Sequence, residues 1–243
     1  MKPAILFRKW HKWLALIVGV QLLFWTLSGL FMSAVPIENI RSEHLAKQPA
    51  LQVLSLGTPY ISIDKVLGLF DDHYSVLSVK LGSLNNDPVY YVETSNEQFH
   101  LVDAIRGEII SPLSKDRVIQ IAKKNYNKST DSINASLITK PITEYRGKYP
   151  VWRVDFNNIE NTSFYISPET GKLKARRGTL WRIYDFLWML HIMDYQNRSD
   201  FNNWFLVIAA VLGLATSISG LILFKYSFRK NDFKIFKKKK PKF

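Results

Sequence analysis

The chain has 243 residues, 47% of them hydrophobic, a formal net charge of +13 and no cysteine. The missing thiols exclude disulfides, thiolate iron–sulfur ligation, a cysteine nucleophile and covalent haem attachment, which needs Cys-x-x-Cys-His; any haem would be of the non-covalent b type. No serine nucleophile elbow, phosphate-binding glycine loop or zinc-protease motif occurs either.

Residues 1–12 open the chain with Lys2, Arg8, Lys9 and Lys12, and then Trp13 to Ile37 runs for 25 residues without a charge. A helix needs about 20 apolar residues to cross the hydrocarbon core, so residues 13–35 are expected to span a membrane. Trp10 and Trp13 stand at the inner edge, where amphipathic rings prefer the interface. Ser33-Ala34 matches a signal-peptide cleavage site, but the apolar run exceeds the roughly 7–15 residues of a signal core, which favours a retained span. Gln21 is the one strongly polar side chain inside the run. An unsatisfied amide in hydrocarbon is costly, so it is expected to bond a partner helix or a cofactor.

Residues 36–178 read as a separate folded domain that begins with a connector, 38–60, containing Pro49 and Pro59. A helix over 61–69 follows, with Ser62 as cap and Ile63, Val66, Leu67 and Phe70 at helical spacing. Val76–Leu81, Val89–Glu93 and Phe99–Val102 then read as strands, with a turn at Asn85-Asn86-Asp87-Pro88 and a glycine turn at Asp103-Ala-Ile-Arg-Gly107. The pattern recurs. Ser114 caps a helix with Val118, Ile119, Ile121 and Ala122 on its apolar side, strands follow at Tyr149–Phe156 and Ser163–Ile166, and Ser167-Pro-Glu-Thr-Gly171 makes a second glycine turn. The expected fold is thus α+β: two helix-plus-antiparallel-sheet repeats, about 61–110 and 114–174.

Residues 179–195, with Trp181, Tyr184, Phe186, Trp188 and Tyr195, read as an amphipathic helix lying in the interface. Phe201 to Phe224 is a second charge-free run, of 24 residues, giving a span over 203–225 with Trp204 at its outer edge and a basic tail over 226–243. Segments 1–12 and 225–243 together hold 13 Lys and Arg against one acid, Asp232, and so account for +12 of the +13. Lys and Arg gather on the cytoplasmic side of short membrane segments, which predicts two cytoplasmic termini and a periplasmic middle domain in the inner membrane. The basic excess is then a topology signal, not a nucleic-acid footprint, and the Lys237–Lys240 run suits anionic membrane lipids.

The helix, the strands and the "DAIRGEI" and "SPETGKL" turns together resemble the PepSY domain. The spans resemble the PepSY-associated transmembrane family in Trp10-His-Lys-Trp-Leu14, Trp25-Thr-Leu-Ser-Gly-Leu30, Met189-Leu-His191 and Ser217-Ile-Ser-Gly-Leu221. The resemblance covers nearly the whole chain. Four-span members of this family are similar to ferric-siderophore reductases of the inner membrane, which carry b haems between their spans. With two spans, this chain is expected to reach that arrangement as a homodimer or beside a partner.

Of five histidines, His11 and His191 are the candidate cofactor-binding residues, as axial ligands to haem iron, because neutral imidazole suits iron. The competing readings are a polar interfacial residue for His11 and, for His191, a capped interfacial histidine bonded to Asp194 or a backbone carbonyl. A first span of about 35 Å separates the two, so one haem cannot bridge them. In a twofold dimer, each histidine would meet its own copy at one haem, and two haems would form a wire across the membrane. Small residues (Gly19, Ser28, Gly29, Gly213, Ala215, Ser217, Ser219, Gly220) would let helices or a macrocycle approach closely. Asp71-Asp72-His73 makes no metal site, since adjacent side chains point apart, and His100 is expected to face solvent. Lys172, Lys174, Arg176 and Arg177 form a basic patch for anionic substrates or lipid heads, or a plain membrane-facing surface.

Two functions follow from the resemblance: a b-haem electron-transfer subunit that reduces ferric complexes or another periplasmic acceptor, and a non-catalytic PepSY accessory subunit of a larger respiratory or uptake complex. A peptidase inhibitor ranks last.

Overall fold

The computed structural model describes residues 3–47, 57–70, 75–129 and 132–227. The tail beyond residue 227, most of the connector around Pro49 and the Asp71-Asp72-His73 cluster lie outside the described residues. In chain order the elements are α1 (Pro3–Ala34), α2 (Ile37–Ile40), a 3-10 turn (Glu43–Leu45), α3 (Ile63–Leu67), β1 (Val76–Leu84), β2 (Asp87–Thr94), β3 (Phe99–Asp103), α4 (Lys115–Asn125), β4 (Ile133–Ile138), β5 (Val151–Phe156), β6 (Ser163–Ile166), β7 (Leu173–Arg177), α5 (Thr179–Ile192) and α6 (Trp204–Ser227). The chain divides into two compact units, Met1–Ala34 with Asp185–Phe243 and Val35–Tyr184, and α5 begins in the second and ends in the first.

The helical unit is built on α1 and α6, which pack together. Both are long and apolar enough to cross a membrane: the most apolar 18-residue stretch within Ile5–Ala34 has mean hydropathy 2.0, and that within Trp204–Phe224 has 2.4. Only 11% and 17% of their most apolar windows is buried, whereas the core helix of a soluble protein would be mostly covered. Leu16, Ile17, Val20, Leu214 and Leu221 point outward with nothing over them, the surface expected of a helix whose solvent is lipid. The helix of α1 starts ten residues before the charge-free run, at Pro3. Arg8, Lys9 and Lys12 are good helix formers and proline is favoured in a first turn, so nothing in the basic flank interrupts the helix.

The second unit holds two antiparallel sheets, β1-β2-β3 and β4-β5-β6-β7. Each is preceded by a short helix capped as the sequence predicts: Ser62 Oγ accepts from the Lys65 amide at 3.4 Å and Ser114 Oγ from the Arg117 amide at 3.5 Å. The β1–β2 hairpin turns on Asn85 and Asn86, with φ of 60° and 80°, the left-handed pair that a two-residue hairpin loop requires and asparagine tolerates. The two glycine turns share one construction. Gly107 and Gly171 have φ of 75° and 65° and donate their amides at 2.9 Å to the carbonyls of Asp103 and Ser167. The Asp103 carboxylate and the Ser167 hydroxyl each accept the amide three residues on, at 2.8 and 3.2 Å.

The larger core sits between α4 and the sheets, where Val118, Ile121 and Ala122 meet Val154, Phe156, Phe164, Ile166, Val89 and Leu101. The smaller core gathers Val66, Tyr90, Val92 and Val102. The expected helix over 61–69 shortens to five residues, so only Val66 is buried, while Ile63 and Leu67 stay exposed. Part of the expected connector is docked: Ile40 and Leu45 are buried, the Lys47 amide donates to the Asn125 carbonyl at 2.8 Å and the Asn127 amide to that of Leu45 at 2.9 Å. Strands β4 and β7 were not expected. Both are edges of the four-stranded sheet, where Asn134 and Ser136, or Lys174, Arg176 and Arg177, are tolerated because one side of an edge strand faces water and charge there discourages further pairing.

Candidate functional site

Both candidate histidines belong to the helical unit, and each is held the same way. His11, on α1, places Nδ1 2.8 Å from Ser219 Oγ on α6. His191, one residue before the end of α5, places Nδ1 2.7 Å from Ser28 Oγ on α1. The serine protons are already committed. Ser219 Oγ donates to the Thr216 carbonyl at 2.8 Å, and Ser28 Oγ donates to the Phe24 carbonyl at 2.6 Å, with the Trp25 carbonyl at 3.1 Å. A hydroxyl has one proton and two lone pairs, so each serine meets its imidazole as an acceptor. In the neutral form of either ring this places the proton on Nδ1 and a lone pair on Nε2. Neither Nε2 makes a hydrogen bond among the described residues.

Packing supports these positions. Ser28 is fully buried and Ser219 nearly so. At Gly220 an added Cβ would lie 3.2 Å from His11 Cε1, so the ring rests directly on the α6 backbone. Farther along the pair, Gly213 faces Leu22 and Trp25; the small residues of α6 are therefore used for close approach, as the sequence predicts.

The end of α5 is fastened to α1 by a row of side chains. Gln21 Nε2 donates to the Leu190 carbonyl at 3.3 Å, and Trp25 Nε1 to the His191 carbonyl at 2.7 Å. Asn203 Nδ2 donates to the Ile192 carbonyl at 2.9 Å. The last carbonyls of a helix lack partners within it, and in an apolar setting they must be met by other groups. Gln21 and Trp25, on one face of α1, and Asn203 meet this need, while Ser28 on that same face of α1 holds the His191 ring. Gln21 thus bonds a neighbouring helix, one of its two expected partners.

The helix ends at Ile192, three residues short of expectation, where Met193 takes φ of 55°. His191 bonds neither Asp194 nor a carbonyl through its ring. The Asp194 carboxylate instead accepts four backbone amides, from Gln196, Asn197, Ser199 and Asp200, at 2.9 to 3.2 Å. These amides, Asp200 and Ser199 foremost, outweigh its burial and lower its pKa to about 2. The same loop is tied to α5 by the buried Asp185, which pairs with Arg198, and by Trp188 Nε1, which donates to the Arg198 carbonyl at 3.1 Å.

The arrangement does not suit hydrolysis. Ser28 donates its proton in a hydrogen bond to a backbone carbonyl, its side chain is fully buried and, among the described residues, no carboxylate orients His191, so these residues do not form a nucleophile–base–orienter relay. It does suit metal ligation by neutral imidazole, in which one ring nitrogen binds and the other is fixed by a hydrogen bond. The fit is one ligand per site. Ser28 stands 17 residues beyond His11 on α1, a rise of about 25 Å, so the two histidines cannot share an iron. No group of three or more His, Asp or Glu capable of holding a metal occurs among the described residues.

In the second unit, sequence reasoning missed a polar cluster. Arg182 Nε and Nη2 donate to the two Glu144 oxygens at 2.8 and 3.1 Å, and Tyr165 OH donates to Glu144 Oε2 at 2.9 Å. Burial raises the Glu144 pKa, but the hydrogen bonds from Arg182 and Tyr165 and the charges of Arg182 and Arg153 outweigh it, and the net shift is downward. Burial, reinforced by the Glu144 charge, pushes Tyr165 well up. The expected basic patch is partly spent inside the fold: Arg177 Nε donates to the Glu144 carbonyl at 2.8 Å while its guanidinium lies 4.0 Å from the Trp181 ring centre. His100, expected in solvent, is half-buried against Phe70, with ring centres 5.2 Å apart. His44 bonds Glu160 at 3.1 Å.

Among known protein families, the one described as the PepSY-associated TM region matches residues 8–243. No curated protein and no solved structure matches the chain.

Proposed function

The chain belongs to the PepSY-associated transmembrane family, and on that footing we propose that it is a two-span inner-membrane subunit that binds b-type haem through His11 and His191 and passes electrons to a periplasmic acceptor such as a ferric-siderophore complex. The observation that carries this reading is the shared construction of the two histidines: a buried serine accepts from Nδ1–H and an Nε2 lone pair is left over. A b haem supplies reversible one-electron transfer when bound. The chain's own residues do the rest. Ser219 and Ser28 keep the proton on Nδ1 and hold each ring's orientation, Gly220 gives the His11 ring room beside the helix backbone, and Gln21 and Trp25 fix the end of α5 that carries His191. Because the two imidazoles are too far apart to share one haem, His11 and His191 would hold separate haems, each completed by the same histidine of a second copy of the chain in a homodimer or by no further protein residue.

The orientation follows from charge. Segments 1–12 and 225–243 hold nearly all the basic excess, which keeps both termini cytoplasmic, presents the tail to anionic membrane lipids and puts the sheet-containing unit, as PepSY-like repeats, in the periplasm.

The test is the absorption spectrum of the full-length protein purified from haem-replete cells. A Soret band that is lost or halved in His11→Ala and in His191→Ala supports the proposal. Colourless wild-type protein that co-purifies in stoichiometric amounts with another membrane complex overturns it in favour of the accessory-subunit reading.

A further inference from the structure

The second unit contains a cleft of about 300 Å³ between the Lys80–Tyr91 face of the first sheet, beside the larger core, and the β6–β7 region of the second. Alternation along the strands makes its first wall. Lys80 pairs with Tyr91 across β1 and β2, while Val79 pairs with Val92 and Leu81 with Tyr90, so Lys80 and Tyr91 point away from the smaller core that takes Val79, Leu81, Tyr90 and Val92. The facing wall carries Lys172, Lys174 and Tyr149. Lysines lining the cleft outnumber glutamates four to two. Of the four, Lys148 is paired with Glu97 at 3.1 Å, and Lys172 lies 5.1 Å from the centre of the Tyr91 ring. Lys80 and Lys174 have no carboxylate partner among the described residues.

Ammonium groups that outnumber the carboxylates in a concave, partly aromatic site repel one another, and the low-dielectric walls focus their field. An anion relieves that repulsion. Lysine, a compact point charge on a flexible stem, takes a carboxylate or a phosphate without demanding a fixed fork geometry. The tyrosine rings beside the charges offer a flat apolar surface. A volume near the lower end of ligand pockets, which run from roughly 300 to 1,000 Å³, restricts the occupant to a small molecule.

We propose that this cleft binds a small organic dianion with a planar ring, its acidic groups held by Lys80, Lys172 and Lys174 and its ring beside Tyr91 and Tyr149. The proposal makes no use of haem and stands or falls separately from it.

Isothermal titration of the full-length protein in detergent tests this with three probes: phthalate (ring and two charges), phthalamide (ring without charge) and inorganic phosphate (charge without ring). Phthalate is expected to bind one per chain and more tightly than either of the others, and its affinity should fall by about tenfold or more in Lys80→Gln/Lys174→Gln. The same pair changed to arginine should keep affinity within about threefold, and Lys115→Gln/Lys123→Gln on the exposed face of α4 should leave it unchanged, with unchanged melting temperature certifying the fold in each case. No heat with phthalate at about 10 mM, an affinity indifferent to Lys80 and Lys174, or phosphate or phthalamide binding as tightly as phthalate would each overturn the proposal.

Discussion

Ser28 Oγ lies 2.7 Å from His191 Nδ1 while its own proton is held by the Phe24 carbonyl at 2.6 Å. The serine is therefore a pure acceptor toward the ring, and removing it strands a buried N–H. Ser28→Ala is expected to destabilise the helical unit by about 1–3 kcal/mol, measured as a lower melting temperature in detergent. Because the alanine also frees the ring to rotate and change tautomer, any haem held there should show a broadened, shifted Soret band, whereas Ser33→Ala, at an exposed serine of the same helix that bonds only the Gly29 carbonyl, should leave both readouts unchanged.

At the other site the contact with α6 is the sensitive one. A Cβ at position 220 would come within 3.2 Å of His11 Cε1. Gly220→Ala asks the ring to move by a few tenths of an ångström, and Gly220→Val asks for more than the 2.8 Å bond to Ser219 can absorb. The expected order of destabilisation is Val greater than Ala, with Val costing about 1–3 kcal/mol. Ser219→Ala combined with Gly220→Val should be less than additive, since both act on the same ring; a double-mutant cycle on melting temperatures reads this directly.

Glu144 should give the second unit an acid-sensitive limb. Its folded pKa is lowered by Arg182, Tyr165 and Arg153 against the opposing effect of burial, so the unfolded chain binds the proton more readily than the folded one. The stabilisation is fully present above the ordinary carboxylate value of about 4.3 and is lost as pH falls through the lowered folded value. Glu144→Gln is expected to cost about 1–3 kcal/mol at neutral pH and to flatten the stability–pH curve below about pH 4, followed by thermal unfolding across a pH series.

Asp194 acts on the loop that precedes α6. Four amides converge on its carboxylate and lower its pKa to about 2. The sign is that of Glu144: the contribution is complete above about pH 4 and disappears as pH falls through the folded value. Asp194→Ala leaves those amides without their acceptor, and residues 195–200 should become a preferred site of proteolytic nicking while Asp200→Ala, which keeps the backbone amide, does not. Equal cleavage of the two variants would contradict the role given to Asp194.

Much of this architecture is legible in the sequence because its signals are local. Charge-free runs mark α1 and α6, Ser62 and Ser114 mark helix starts, and Gly107 and Gly171 mark turns that only glycine accommodates easily; at Gly171 a Cβ would also sit 2.6 Å from Leu84 Cδ1. Strands β4 and β7 escaped because edge strands need not alternate cleanly. The serine partners of the histidines escaped for a different reason. Ser28 is 163 residues from His191 and Ser219 is 208 from His11, and nothing in a serine's local context announces a distant imidazole. The pairing of Glu144 with Arg182 is equally invisible, since a loop glutamate reads as solvent-facing until the fold closes over it.

Three side chains of α1, at positions 21, 25 and 28, all address the last turn of α5. One residue of an α-helix accounts for about 100° of rotation and 1.5 Å of rise. An insertion or deletion anywhere between Leu22 and Leu27 would therefore swing Ser28 away from the face that Gln21 keeps, while leaving length and hydropathy almost untouched. The first apolar helix is phased as well as greasy, and its rotational setting is as much a specification of the protein as its capacity to sit in lipid.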